Sequence, residues 1–161
     1  MIRKCTTTDT NRIYDIVNTA ARAYDGVIAD DCYHQPYMPK EELEQEMKRV
    51  HFYGWENDGD IVGVMGIEPV KDVTLIRHAY VLPDYQDRGI GRKLLEHLIE
   101  LTSTPQLLVG TWKDATWAVR FYENNGFELL PEKDKLLADY WDIPQKQIET
   151  SVVLGVKINN D

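Results

Sequence analysis

The stretch Arg88-Gly89-Ile90-Gly91-Arg92-Lys93 carries the chemistry most directly readable from residue types and spacing. Two residues without a Cβ stand among three cations. Glycine lets the backbone take dihedrals closed to other residues and lets a ligand come close. At the start of a helix, unpaired N–H groups and the positive end of the helix dipole would add to those cations. The combination favours an anion, and phosphate is the natural guest. The spelling is neither G-x-x-x-x-G-K-[ST] nor G-x-G-x-x-G, since only Gly89 and Gly91 are present.

The neighbouring segments supply the required setting. Val73 to Val81 is apolar and β-branched, the pattern of a strand. Beyond the loop, Ile90, Leu94, Leu95, Leu98 and Leu101 recur on one helical face, so the loop joins a strand to a helix N-terminus. Upstream, Ile2 to Thr6 reads as a short strand. A helix capped at Thr8 or Asp9 follows, with Ile13, Ile16, Val17 and Ala20 inward, and it ends near Tyr24 at the Asp25-Gly26 breaker. An irregular loop over 25–38 precedes a second helix, opened by Pro39, with Leu43 and Met47 facing inward. Two strands, over 50–56 and 61–70, flank the hairpin turn Asn57-Asp58-Gly59-Asp60. Downstream come a strand from Gln106 to Trp112 and a helix from Ala115 to Asn125, closed by Gly126. A short strand from Phe127 to Leu130, a helical piece over 132–142 ended by Ile143-Pro144, and a last strand from Ile148 to Ile158 complete the chain.

Composition narrows the function classes. At 161 residues the chain is expected to be one domain with a substantial core. A net charge of −9 argues against nucleic acid, whose phosphates need a basic surface, and is compatible with a cationic amine as partner. Cys5 and Cys32 make neither a disulfide framework nor a metal-ligand spacing, so no metal is expected. No apolar run approaches the length of a membrane span, and Met1-Ile2-Arg3-Lys4 leads into polar residues rather than a signal-peptide core. A cytoplasmic protein with no membrane partner is the expectation.

Gln86-x-x-Gly89-x-Gly91, after a strand ending Val81-x-Pro83, resembles motif A of the GNAT superfamily of acyl-CoA-dependent N-acetyltransferases. Ala118-Val119-Arg120-Phe121-Tyr122-Glu123-Asn124-Asn125-Gly126-Phe127 resembles motif B. The element order matches that fold over essentially the whole chain. The resemblance implies an α/β domain over residues 1–161, with a mixed, mostly antiparallel, twisted sheet of about seven strands. Helices would flank the sheet, which would splay between its fourth and fifth strands. It also implies acetyl-CoA as co-substrate, held by Ala79, Tyr80, Val81, Gln86, Arg88, Gly89, Ile90, Gly91, Arg92 and Lys93. Backbone groups of Ala79 to Val81 would face the pantetheine, and one N–H would polarise the acetyl carbonyl. Tyr122 takes the place of the family's general acid. A phenol near about 10 stays protonated at neutral pH and can donate to a thiolate whose conjugate acid lies near about 8.5.

Two positions depart from the family pattern. Ala115 stands where many members carry an Asn that touches the cofactor, and Leu75 where many carry a Glu base. The base is therefore open. Strand alternation places His78 on the face opposite Leu75, Ala79 and Val81, and the candidates for the base are His78, the 25–38 loop (Asp25, His34), Glu68 and a water chain. Tyr24, Tyr33, His34, Tyr37, Trp112, Trp117, Tyr140 and Trp141 are expected to line the acceptor pocket, which suits a small amine or a peptide. The reading is acetyl transfer to a primary amine by direct attack in a ternary complex. The alternative is a non-catalytic CoA-binding sensor or scaffold. A homodimer through edge strands is a further possibility of this fold.

Overall fold

The computed structural model describes residues 1–158. Seven strands form one sheet in the order β1-β2-β3-β4-β5-β7-β6. They are β1 (Ile2–Lys4), β2 (His51–Asn57), β3 (Asp60–Val70), β4 (Val73–Val81), β5 (Gln106–Trp112), β6 (Glu128–Leu129) and β7 (Ser151–Lys157). Among the described residues only the β4–β5 pair is parallel, so the expected mixed sheet is present. The helices are α1 (Thr10–Ala20), α2 (Lys40–Glu46), α3 (Ile90–Leu101), α4 (Thr116–Asn124), α5 (Lys133–Tyr140) and α6 (Gln145–Glu149).

Apolar periodicity decides which faces are covered. Leu94, Leu95 and Leu98 of α3 join Tyr122 of α4 and Phe127 over Met65, Ile76, Leu107, Val109 and Leu154 of the sheet. On the opposite face, Ile13, Ile16 and Val17 of α1 and Leu43 of α2 bury Phe52, Ile61 and Val64. Leu137 of α5 closes the far half over Leu75, Leu108 and Val153. Between β2 and β3, Asp58 and Gly59 both take positive φ (52° and 86°), the two-residue hairpin turn that the Asp-Gly pair anticipates.

Several boundaries differ from the expectation. The first helix stops at Ala20 and tightens into a 3-10 turn over Ala21–Tyr24. Pro39 lies just outside α2 as its N-cap, with φ −60° and ψ 153°. Leu101, expected on the inward face of α3, is 44% exposed at its last turn. The last strand starts at Ser151 rather than Ile148, because Pro144 caps the short helix α6, which takes up the intervening residues.

Two irregularities in β4 set up everything that follows. β4 pairs with β5 only from Val73↔Gln106 to Ile76↔Val109, and from Arg77 onward the two strands part. β5 instead continues against β7 as far as Trp112↔Ser151. On its other edge, β4 carries a bulge. Gly66 pairs with Arg77 and Val64 with Tyr80, so His78 and Ala79 both stand opposite Met65. His78 takes the left-handed conformation there, φ 56°. An extra residue breaks the alternation of the strand and increases its twist. His78 therefore turns to the face of Arg77 and Leu75, while Ala79 and Val81 pack with Ile76 against α3 and α4. The alternation expected from sequence does not survive the bulge.

Gly66 makes the close approach possible. A Cβ there would lie 2.5 Å from Val50 Cγ1 and 3.1 Å from the Arg77 carbonyl oxygen. Gly66→Ala should therefore lower stability by about 1–3 kcal/mol, the usual cost of overpacking a filled site. The urea midpoint should fall at unchanged slope, and an unchanged midpoint would mean that the bulge is not constrained from β3.

Candidate active site

Two clefts open on opposite faces of the sheet at the point where β4 and β5 part. The first, about 560 Å³, lies on the α3–α4 side between the bulged end of β4 and the start of α3. Gly89 is the N-cap of α3, with φ 81° and no atom within 4 Å of where a Cβ would stand. The left-handed backbone is costly for most side chains, and the space in front of it stays open to a ligand. The first bond of the helix runs from the Lys93 N–H to the Gly89 carbonyl. The N–H groups before it are free to meet an anion, and the helix dipole adds to their pull.

The cations around this turn are not equivalent. Arg92 lines the cleft and also pairs with Glu96 at 3.0 Å along the exposed side of α3. The Arg88 guanidinium lies over the Tyr85 ring at 5.0 Å, and the Lys93 ammonium over the Trp55 ring at 5.0 Å. Gln86 fixes the loop to the strand by donating from Nε2 to the Val81 carbonyl at 3.0 Å. Ala79, Tyr80, Val81, Gln86, Gly89, Ile90, Gly91, Arg92 and Tyr122 all line this cleft, whereas the side chains of Arg88 and Lys93 are held beside it. Trp117, 45% exposed, lines the same cleft and stacks on Tyr24 at 6.0 Å.

Tyr122 is buried on α4, its ring against Phe121 at 5.1 Å and Phe127 at 5.5 Å. Burial, and after it the proximity of the Tyr24 phenol, pushes its pKa up from the ordinary tyrosine value. The hydroxyl is a proton donor throughout the neutral range.

The second cleft, about 640 Å³, lies on the α1–α2–α5 side. Tyr24, His34, Tyr37, Trp112 and Trp141 line it, together with Gly110 and Thr111 of β5. Trp112 Nε1 donates to the Tyr37 hydroxyl at 2.9 Å, and the Tyr24 ring lies 5.3 Å from that of Tyr37 and 6.4 Å from that of Tyr80. Burial raises all three phenols, so this aromatic wall is neutral. Tyr24 and Tyr80 line both clefts, which places them where the two meet. Three of the expected pocket residues go elsewhere. Trp117 belongs to the first cleft. Tyr33 stacks behind Tyr37 at 6.2 Å. Tyr140 donates to Asp72 in the β3–β4 turn at 2.7 Å.

The floor of the second cleft holds a set of charges that the sequence did not reveal. Arg77 reaches Glu46 Oε1 at 3.0 Å and Glu68 Oε1 at 2.9 Å. Arg49 meets Glu46 Oε2 and, at 3.1 Å, Glu68 Oε2. His78 Nε2 lies 3.0 Å from Glu46 Oε1. Burial pushes the Glu46 carboxyl up, but the hydrogen bond from His78 and the charges around it outweigh that, and the net direction is down. Glu68 is thus committed to two guanidiniums. Asp25 is exposed and lines neither cleft, and exposed His34 has its Nδ1 on the Pro36 carbonyl at 2.7 Å. No local pattern could have shown this set, since its members lie on α2, the segment after it, β3 and β4.

Comparison with known proteins identifies the fold and the family. The model of the acetyltransferase (GNAT) domain matches residues 48–129. A probable spermine N(1)-acetyltransferase of Bacillus subtilis subsp. natto (strain BEST195) is 29% identical over 56% of this chain and 69% of its own length. The PaiA N-acetyltransferase from Thermoplasma acidophilum, solved in complex with coenzyme A, superposes with a TM-score of 0.76. It is 17% identical and covers 98% of each chain. A GNAT-family acetyltransferase from Staphylococcus aureus Mu50 superposes with a TM-score of 0.75 at 17% identity, over 99% of both chains. The chain belongs to the GNAT family of acetyltransferases, and its enzyme class is acyltransferase. Among the described residues, no helix is long and apolar enough to cross a membrane.

The burial of Tyr122 has a direct consequence. Spectrophotometric titration of the native protein should show phenols that ionise above the ordinary tyrosine range, and Tyr122→Phe should remove one of them. Loss of a phenol from the ordinary range would contradict the environment described for Tyr122.

Proposed function

We propose that this protein, as a single domain over 1–161, transfers the acetyl group of acetyl-CoA to a primary amine of a small molecule or peptide by direct attack in a ternary complex. The observation that carries the reading is the meeting of two clefts from opposite faces at the parted strands, with Tyr24 and Tyr80 common to both. Acetyl-CoA would enter from the α3 side, its pyrophosphate on the N–H groups that follow Gly89. The amine would enter from the aromatic side. Its nitrogen attacks the acetyl carbonyl carbon, and the oxyanion takes a hydrogen bond from a backbone N–H of the Ala79–Val81 segment. The C–S bond then breaks and the sulfur receives the Tyr122 proton.

The cysteines support direct attack. Burial pushes the Cys5 thiol up to about 12, and burial with the Asp31 charge raises Cys32, so neither offers a thiolate at neutral pH. Because a Bacillus subtilis relative is a probable spermine N(1)-acetyltransferase, spermine and the related polyamine spermidine are natural members of an acceptor panel. Thiol release from acetyl-CoA should be measured with these polyamines, free amino acids and peptide N-termini. A CoA-binding scaffold would bind and release nothing.

Two substitutions test the parts separately. Gly89→Asp places a side chain and a negative charge at the anion site, in a left-handed position that aspartate tolerates better than most residues. Calorimetry should show acetyl-CoA binding abolished with the fold intact, and unchanged affinity would rule out this turn as the phosphate site. Tyr122→Phe should lower kcat by about 10²–10⁴-fold with little change in acetyl-CoA affinity. Wild-type turnover under conditions where chemistry limits the rate would return Tyr122 to the core.

A further inference from the structure

Amine attack leaves a proton to be removed from nitrogen, and Tyr122 cannot take it, because it is the donor to sulfur. Two imidazoles line the second cleft: exposed His34, whose Nδ1 lies on the Pro36 carbonyl, and His78, which is held in place. His78 lines the cleft floor with its side chain 14% exposed. Its ring lies nearly parallel to Phe52 (centroids 5.8 Å apart, interplanar angle 14°), which fixes the plane of the imidazole. Nε2 meets Glu46 Oε1 at 3.0 Å. Beside this carboxylate Nε2 carries the hydrogen and Nδ1 keeps its lone pair. The backbone at His78 has φ 56°, a conformation that costs energy outside glycine and that the bulge imposes. Without the bulge, this side chain would stand on the other face of the sheet.

We propose that His78, oriented by Glu46, is the proton acceptor for the attacking amine. The inference rests on the acetyl transfer proposed above. As the C–N bond forms, the proton on nitrogen passes to His78 Nδ1. The C–S bond breaks and the thiolate takes the Tyr122 proton. His78 then releases its proton to solvent and Tyr122 regains one, so the net change is amine plus acetyl-CoA to amide plus CoA thiol. Glu46 touches no substrate in this scheme. It is a positioning residue that holds the tautomer and stabilises the imidazolium.

The charged and titratable surroundings fix the sign of the pH dependence. They are Glu46 and Glu42 on α2, Arg49 beyond it, Arg77 on β4 and Glu68 on β3. From α1 and β2 come Tyr14 and apolar side chains. Burial pulls the imidazole down, Glu46 pushes it back up, Arg77 lowers it further, and the net direction is below the ordinary value of about 6.5. His78 is therefore neutral at pH 7, and turnover should fall as pH drops through its lowered pKa.

The test is the pH profile of kcat at saturating amine for wild type, His78→Asn and Glu46→Gln, with acetyl-CoA affinity measured by calorimetry. Asparagine accepts φ near +56° but cannot take a proton. His78→Asn should keep acetyl-CoA affinity, lose about 10²–10⁴-fold in kcat and lose the acid limb. Glu46→Gln removes the charge that raises His78, so its limb should move to lower pH. A His78→Asn enzyme with the wild-type rate or the wild-type limb overturns the assignment, and so does an unmoved limb in Glu46→Gln. If His78→Asn does not fold, the Glu46→Gln limb decides. No thiol release by wild type with any amine overturns the acetyl transfer itself, and this assignment with it.

Discussion

The structure turns on the parting of β4 from β5 after Ile76↔Val109. Two neighbours pull the strands apart. β5 stays with β7 to its end, and β4 follows β3 through a bulge that adds twist just where the pairing stops. A strand edge with no partner is costly when buried. Here it lies between two clefts, where it can pair with a bound amide chain. The loop that follows β4 is tied back by Gln86 and ends in the left-handed Gly89, so one strand leads to both the free edge and the proposed anion site.

The second constraint is the group of charges under the bulge. Two carboxylates and two guanidiniums bridge α2, β3 and β4, and Glu46 also holds His78. Arg77, Glu46 and Glu68 are largely buried and Arg49 is half exposed. A buried ion pair adds little net stability over an apolar replacement, although removing one buried partner costs about 3–5 kcal/mol. Its value here is positional. It fixes α2 against the strand at the residue where alternation fails, and so fixes the floor of the second cleft.

Much of this was legible from residue order. The Gly89-x-Gly91 turn, the Asp58-Gly59 hairpin and the Ile90–Leu98 stripe are local signals, and each became the element its spacing implied. The bulge was not legible. Met65, Ile76, Ala79 and Val81 are apolar on either side of it, so an extra residue leaves no mark in the pattern. The error about His78 followed from that. Glu46, Arg49, Glu68 and Arg77 escaped for another reason: each reads as a solvated charge in its own segment, and only the fold brings them together. The aromatic set was read correctly as a cluster but divided wrongly, because composition cannot say that Tyr140 turns to Asp72 or that Trp117 faces α3.

The central claim is that the parted edge of β4 and the turn before α3 form one binding surface for acetyl-CoA. Backbone hydrogen exchange, measured with and without acetyl-CoA, tests it most directly. The account predicts slowed exchange concentrated at Arg77–Val81 and at the first turn of α3, with β1, β2 and α5 unchanged. Protection elsewhere with these two segments unaffected would contradict it.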